Sequence, residues 1–340
     1  MSQQLGLFPD AEPQPGRGGG VGPAAVTPEV ERITAALPKG LRLGTSSWSF
    51  PGWAGIVYDR EASASTLAKT GLAAYARSPL LRTVGVDRTY YRPVSAEVFR
   101  DYADDVPDDF RFLVKADRRT TSPTDPDAPG RRATNPDFLD PAYAIREVIE
   151  PAVEGLGGKL GTILFQFSPA PPAALGGERG FLERISRFLD ALPKGPLYAV
   201  ELRTPELLTE AYREVLERQA VAHGYVVHPA MAPLERQTTL LPPHYQPALV
   251  VRWMLGAGQA YQAAKDRYEP FDRIVDEDTA TRHAVAVAAL DALIAEREVF
   301  VVANNKAEGS APRTLERLAE HIVRWRDPAP SPQAGPDDAS

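Results

Sequence analysis

From about residue 27 to residue 326 the chain repeats one unit. A short β-branched apolar run is followed by a polar break, then by a stretch whose apolar positions fall three and four apart. The runs are LRLGTSSW (41–48), TVGVDRTYY (83–91), FRFLVKAD (110–117), GTILFQFS (161–168), PLYAVELR (196–203), AHGYVVH (222–228), ALVVRWML (248–255) and EVFVVANN (298–305), and each predicts a strand. Amphipathic stretches follow: STLAKTGLAAYAR, SAEVFRDYADDV, PAYAIREVIEPAVEGL, FLERISRFLDAL, ELLTEAYREVLERQ, TATRHAVAVAALDALIAER and TLERLAEHIVRW. Only the sixth unit, near MAPLERQTTLL, lacks a clear helix. Ser95 and Thr204 stand at N-cap positions, with carboxylates in the turn that follows.

Alternating strand and helix predict a parallel sheet with right-handed crossovers, of the α/β class. Eight such units over roughly 290 residues predict a closed (β/α)8 TIM barrel in a single domain, because closure leaves no strand edge unpaired. An open Rossmann-like sheet fits less well. No G-x-G-x-x-G follows the first strand, and GLGGK at 155–159 precedes a strand, so its glycine pair reads as a helix C-cap. The Gly- and Pro-rich residues 1–26 and the Pro-, Ala- and Asp-rich residues 327–340 read as disordered tails around a barrel domain of 27–326.

Composition narrows the function classes. At 340 residues with 43% hydrophobic and 24% charged content the chain can bury a large core, and a net charge of -7 argues against a generally basic nucleic-acid coat. With no cysteine, disulfides, thiolate catalysis and zinc-thiolate sites are excluded. No apolar run approaches the roughly 18 residues that span a bilayer, and no basic-then-apolar secretory order opens the chain. A cytoplasmic protein with no membrane partner is the expectation.

In a barrel of this kind the active site forms at the C-terminal ends of the strands. Those ends carry Trp48, Asp87 and Tyr91, Lys115, Gln166, Glu201 and Arg203, His228, Arg252 and Trp253, and Asn304 with Asn305. Residues two apart share a face, so Ala199, Glu201 and Arg203 line the interior while Val200 and Leu202 face the helices. The same rule pairs Asp87 with Thr89 and Asn304 with Lys306. A carboxylate inside needs a partner, and Lys115, Arg203 and Arg252 are candidates. Glu201 and Lys115 are the catalytic candidates, Arg203 and Arg252 the anion holders, and Gln166 and Asn304 the groups that orient substrate hydroxyls. An interior ion-pair network without chemistry would use the same residue types. Asp87, Glu201 and His228 could meet a divalent metal but lack diagnostic spacing, so no metal is assigned and the cofactor is unknown. Trp48, Trp53 and Trp253, with Phe50, Tyr90 and Tyr91, suggest an aromatic rim suited to a sugar or base. Long insertions follow strand three (118–137) and strand seven (256–278), where lids often form.

GTSSWSFPGWAGIVY, TVGVDRTYYRPVSAEVF, FRFLVKAD, ILFQFSPAPP, AVELRTPELL, LVVRWMLG and VVANNKAEGSAPRTLERL together resemble the YecE-like family, also called domain of unknown function 72. The likeness spans about residues 40–322. It implies a TIM barrel and no established activity. Glu201, Arg203, Arg252, Asn304, Asn305, Lys115 and Gln166 match the family pattern. Three positions depart from it: Val84-Gly85-Val86-Asp87 stands where a Val-Glu-Ile-Asn-like stretch is usual, Met254 where histidine is common, and Lys306 where an acidic residue is usual.

The expected function is an enzyme acting on a small anionic or hydroxylated substrate, of hydrolase or isomerase type, with a small molecule or nucleotide as ligand. A second expectation comes from QLGLF in the N-terminal tail. Gln4, Leu5, Leu7 and Phe8 resemble the pentapeptide by which bacterial replication and repair proteins dock on the sliding clamp. A third is a non-catalytic binding scaffold, favoured by the three departures.

Overall fold

The computed structural model describes residues 20–128, 133–256 and 258–326. Gln4, Leu5, Leu7 and Phe8 lie outside the described residues. Strands β1 Leu41–Thr45, β2 Leu81–Val86, β3 Arg111–Lys115, β4 Leu160–Gln166, β5 Tyr198–Glu201, β6 Ala222–Val227, β7 Leu249–Trp253 and β8 Val299–Ala303 close into a parallel barrel, each paired with its chain neighbours and β8 with β1. Around it lie α1 Pro28–Ala36, α2 Ala64–Thr70, α3 Leu72–Tyr75, α4 Ala96–Asp104, α5 Arg118–Thr121, α6 Pro141–Ala144, α7 Glu150–Leu156, α8 Gly177–Ala191, α9 Glu210–Gln219, α10 Leu234–Leu240, α11 Tyr261–Tyr268, α12 Thr279–Ile294 and α13 Ala311–Arg326. This is the predicted (β/α)8 architecture. No helix among the described residues is long and apolar enough to cross a membrane.

The period-two reading of the strands holds where it was sharpest. Leu113, Leu164, Ala199, Ala222, Val250, Phe300 and Val302 fill the barrel interior as one apolar cluster, while Val200 and Leu202 pack outward among the helices. Gly224 sits beside them for a steric reason: a Cβ there would come 3.1 Å from both Glu201 Cβ and Leu164 Cδ1. The small residue thus leaves room for the interior carboxylate.

Local chemistry sets the helix ends. Thr209 caps α9 by accepting from Tyr212 N at 3.3 Å, and Asp278 caps α12 by accepting from Thr281 N at 2.9 Å. Thr204, expected as a cap, instead bonds the β4–α8 loop, donating to Ala170 O at 3.0 Å and accepting from Ala170 N at 3.3 Å. A single 3-10 turn at Pro205–Leu207 displaces the helix start to Glu210. Ser95 stands at the N-cap of α4 without a side-chain bond to it. Thr209→Ala is expected to lower the unfolding free energy by about 1 kcal/mol, read as a lower urea midpoint at unchanged slope. An unchanged midpoint would remove the capping role.

The stretch expected as one helix from Pro141 to Leu156 is divided by a π turn at Ile145–Ile149. Pro151 explains it, because proline has no N–H to give and its ring crowds the carbonyl four residues back. Gly157 ends α7 at φ +52°, and the glycine pair at 157–158 acts at the C-cap as its position predicted. Packing begins N-terminal to the expected boundary at residue 27: Ala24 N donates to Val57 O and Asp59 N to Gly22 O, both at 2.9 Å. The insertion after β7 folds over the β1 side of the mouth, where a Cβ on Gly52 would lie 1.6 Å from Pro270 O and Phe50 meets Phe271 edge-on at 5.9 Å.

Candidate functional site

Gln166 ends β4 and Glu201 ends β5 in direct register, and Arg252 lies one residue before the end of β7. Their side chains turn inward and meet above the apolar interior cluster. Glu201 has no solvent exposure, and both its oxygens are engaged. Arg203 Nε donates to Oε1 at 2.8 Å, and Arg252 Nη1 donates to Oε2 at 2.9 Å. Gln166 Oε1 accepts from both guanidiniums, from Arg252 Nη1 at 3.0 Å and Arg203 Nη2 at 3.2 Å. Arg252 Nη2 reaches across the mouth to the two carboxylate oxygens of Asp87 at 3.2 and 3.1 Å.

The electrostatics follow from that geometry. Burial works against ionisation of Glu201, but Arg252, Arg203 and Lys115 outweigh it and hold the carboxyl down at about 2. Glu201 is therefore a fixed anion, each of whose oxygens already accepts from a guanidinium. Lys115, at the end of β3 and only 6% exposed, is the opposite case. Its ammonium stands 3.7 Å from the centre of the Tyr90 ring, and among the described residues it donates no hydrogen bond and joins no ion pair. Burial pulls it down to about 7; Asp87 opposes that, while Arg252 and Arg203 add to it. Two carboxylates face three cations, Arg203, Arg252 and Lys115, so one positive charge is left over when the lysine is protonated. Arg203, with its side chain 10% exposed, has Nη1 not engaged by any described residue.

Asp87 and Thr89 do not share a strand face as the alternation rule predicted. β2 ends at Val86, and Asp87–Tyr90 forms a 3-10 turn. That turn sends Asp87 toward Arg252, sets the Tyr90 ring against Lys115, and buries Thr89, whose Oγ1 lies 2.5 Å from the carbonyls of both Val86 and Lys115. Tyr90 hydroxyl lies 2.9 Å from Ser168 Oγ. Tyr91 stands beside it with its hydroxyl pushed up to about 12 by burial and by Asp87. The sequence puts both tyrosines in an aromatic rim and singles out Tyr91 as the binding residue, whereas Tyr90 is the ring against Lys115. Nothing in the adjacent pair of tyrosines distinguishes them until the turn is known.

Asn304 reaches Ser46 Oγ through Nδ2 at 2.8 Å and accepts from Lys306 Nζ at 3.2 Å. Lys306 lies 4.4 Å from the Tyr261 ring of α11, and burial, then Lys265, draws it down to about 8. His228 is half-buried at the mouth. Its Nδ1 accepts from Ala230 N at 3.1 Å, and burial followed by Arg203 pulls it down to about 4, so the ring is neutral.

Three expected binding residues sit away from this cluster. Asn305 is fully buried, its Oδ1 accepting from Trp53 Nε1 at 3.2 Å and Ala311 N at 2.8 Å, so it ties β8 to the start of α13. Trp253 faces the helices, because the residue after an inward Arg252 must point outward. Trp48 is buried edge-on to Tyr102 at 5.2 Å. The tryptophan rim expected at the mouth is thus core packing, and Tyr90, Tyr91 and Tyr261 stand at the mouth instead. Among the described residues no three histidine, aspartate or glutamate side chains converge as a metal site would need. Glu201 and Asp87 are committed to guanidiniums, which accounts for the Asp87, Glu201 and His228 trio.

The family model described as "Protein of unknown function DUF72" matches residues 42–336. Among solved structures the chain is similar to a DUF72 family protein of Enterococcus faecalis, with 20% identity and a TM-score of 0.58 over 84% of this chain and 95% of that one. It is similar also to a DUF72 family protein of Thermotoga maritima, with 20% identity and a TM-score of 0.55 over 83% of this chain and 98% of that one. At such identity the likeness is one of fold. No curated protein matches the chain.

Proposed function

The chain belongs to the DUF72 family, and from that premise we propose that the barrel mouth is the active site of an enzyme, of hydrolase or isomerase type, for a small anionic or hydroxylated substrate. The observation that carries this reading is Lys115. A buried ammonium over a tyrosine face, with no anion of its own, is costly to the fold unless a ligand uses it. Asp87 and Glu201 are each ion-paired with a guanidinium. Glu201 takes the role of counter-ion that orients Arg203 and Arg252, in place of the proton exchange its position in the sequence suggested. Arg203 Nη1 and Lys115 Nζ then remain as donors for an acidic group or a hydroxyl, and Lys115, drawn down to about 7, is able to gain or lose a proton at physiological pH, as is Lys306 at about 8.

Proton linkage gives the test. An anion held by the Lys115 ammonium binds fully below about 7 and weakens by about tenfold per unit as pH rises above it. Calorimetric titration of pyruvate, glycerol phosphate and glucose between pH 6 and pH 9 should find at least one acidic compound that follows this profile. No binding by any of the three, or binding independent of pH, would overturn the reading.

A second reading rests on the N-terminal tail. Gln4, Leu5, Leu7 and Phe8 carry the resemblance to the clamp-docking pentapeptide, and they precede the first packed segment, Gly22–Ala24. A labelled peptide of residues 1–12 titrated with a purified bacterial clamp is expected to bind, and Leu7→Ala with Phe8→Ala to remove binding. An inert wild-type peptide ends this reading.

A further inference from the structure

The geometry points to Lys115 as a covalent nucleophile that forms an imine with a ketone or aldehyde carbonyl beside the acidic group of the substrate. The inference deepens the reading of the mouth as a substrate site and rests on it. Lys115 Nζ stands at the C-terminal end of β3 on a side chain whose stem is buried and whose nitrogen is still reached from the mouth, with no carboxylate in ion-pair contact among the described residues. An amine intended only as a structural cation would be expected to sit against Asp87 or Glu201, yet Arg252 and Arg203 occupy both carboxylates. That arrangement withholds counter-charge from the lysine and leaves its nitrogen lone pair accessible, as a Schiff-base lysine requires.

The surroundings suit each state of the reaction. The unprotonated Nζ adds to the carbonyl carbon and an N–H proton passes to the carbonyl oxygen, giving a carbinolamine. That hydroxyl takes up a further proton and leaves as water, and the nitrogen becomes an iminium; addition of water reverses both steps. Tyr90 presents its ring face to the nitrogen, so the cation formed stands where the ammonium stood. The hydroxyl of that same ring lies 2.9 Å from Ser168 Oγ, and we assign this pair the proton for the departing water. Arg203 Nη1 takes the neighbouring acidic group. The substrate class is therefore a small oxo acid or a phosphorylated ketone or aldehyde.

The test is borohydride trapping in the full-length protein. Pyruvate and dihydroxyacetone phosphate are each incubated with the protein and sodium cyanoborohydride, followed by intact mass and peptide mapping. A single reduced adduct on the peptide carrying Lys115, absent in Lys115→Met, is the expected result. Adducts scattered over surface lysines and retained in Lys115→Met would overturn the imine. So would the lack of any adduct when calorimetry shows that the same compound binds, which leaves the binding reading standing. Absence of both binding and adduct overturns the two together.

Discussion

Glu201→Gln is expected to lower the unfolding free energy by about 3–5 kcal/mol, the usual result of removing one partner from a buried charged network. The side chain is isosteric, so the loss reports the charge together with the one acceptor that becomes an NH2 donor facing a guanidinium. Arg203 and Arg252 would keep Gln166 and Asp87 but lose the anion that both guanidiniums share. The pH dependence has a definite sign. Because folding depresses the Glu201 carboxyl from 4.5 to about 2, its contribution is complete above 4.5 and is lost as pH falls toward 2. The gap between wild type and variant should therefore be full at pH 7 and narrow in acid. Urea unfolding at pH 7 and pH 3 measures both points. A loss below about 1 kcal/mol at pH 7 would mean that the network is worth no more than an exposed ion pair.

Lys115→Met is expected to act in the opposite direction on stability while abolishing function. Burial depresses the Lys115 ammonium from 10.5 to about 7, so the unfolded chain binds a proton more tightly than the folded one between those values. The lysine thus destabilises the fold most below pH 7, and that penalty fades as pH rises to 10.5. Replacing it with an apolar side chain of similar length should stabilise the protein at pH 6 by on the order of a few kcal/mol, and hardly at all near pH 10.5. Ligand binding and turnover should vanish in the same variant. Gain of stability with loss of function is the signature of a residue kept for chemistry. A variant less stable than wild type at pH 6 would place Lys115 in the structural network instead.

The two substitutions separate roles that look alike in one dimension. Glu201 and Lys115 both end strands, both point inward and both ionise. The difference lies in which of them found partners. Asp87, across the mouth, engages Arg252 rather than the lysine, and Glu201 takes the two guanidiniums.

The sequence by itself determined the barrel, the order of its strands and the inward direction of Glu201, with Arg203, Arg252 and Lys115 as its candidate partners. Those features are periodic, and periodicity is local: a strand of alternating residues sorts its own faces, and each strand–helix unit forms from contiguous chain. The outward turn of Trp253 was not read from the sequence, which placed it at the mouth, although its inward neighbour Arg252 implies it. Only the tertiary structure decided which charges meet. Asp87 and Arg252 lie 165 residues apart and touch only because the 3-10 turn after β2 redirects Asp87. The same turn chose Tyr90 over Tyr91 as the ring beneath Lys115. Asn305 became an anchor for α13, and Asn304 faced Ser46, because one residue of rotation at the end of β8 separates the mouth from the core. Pairing in a closed barrel depends on distances across it, and Coulomb energy falls with those distances rather than with separation along the chain.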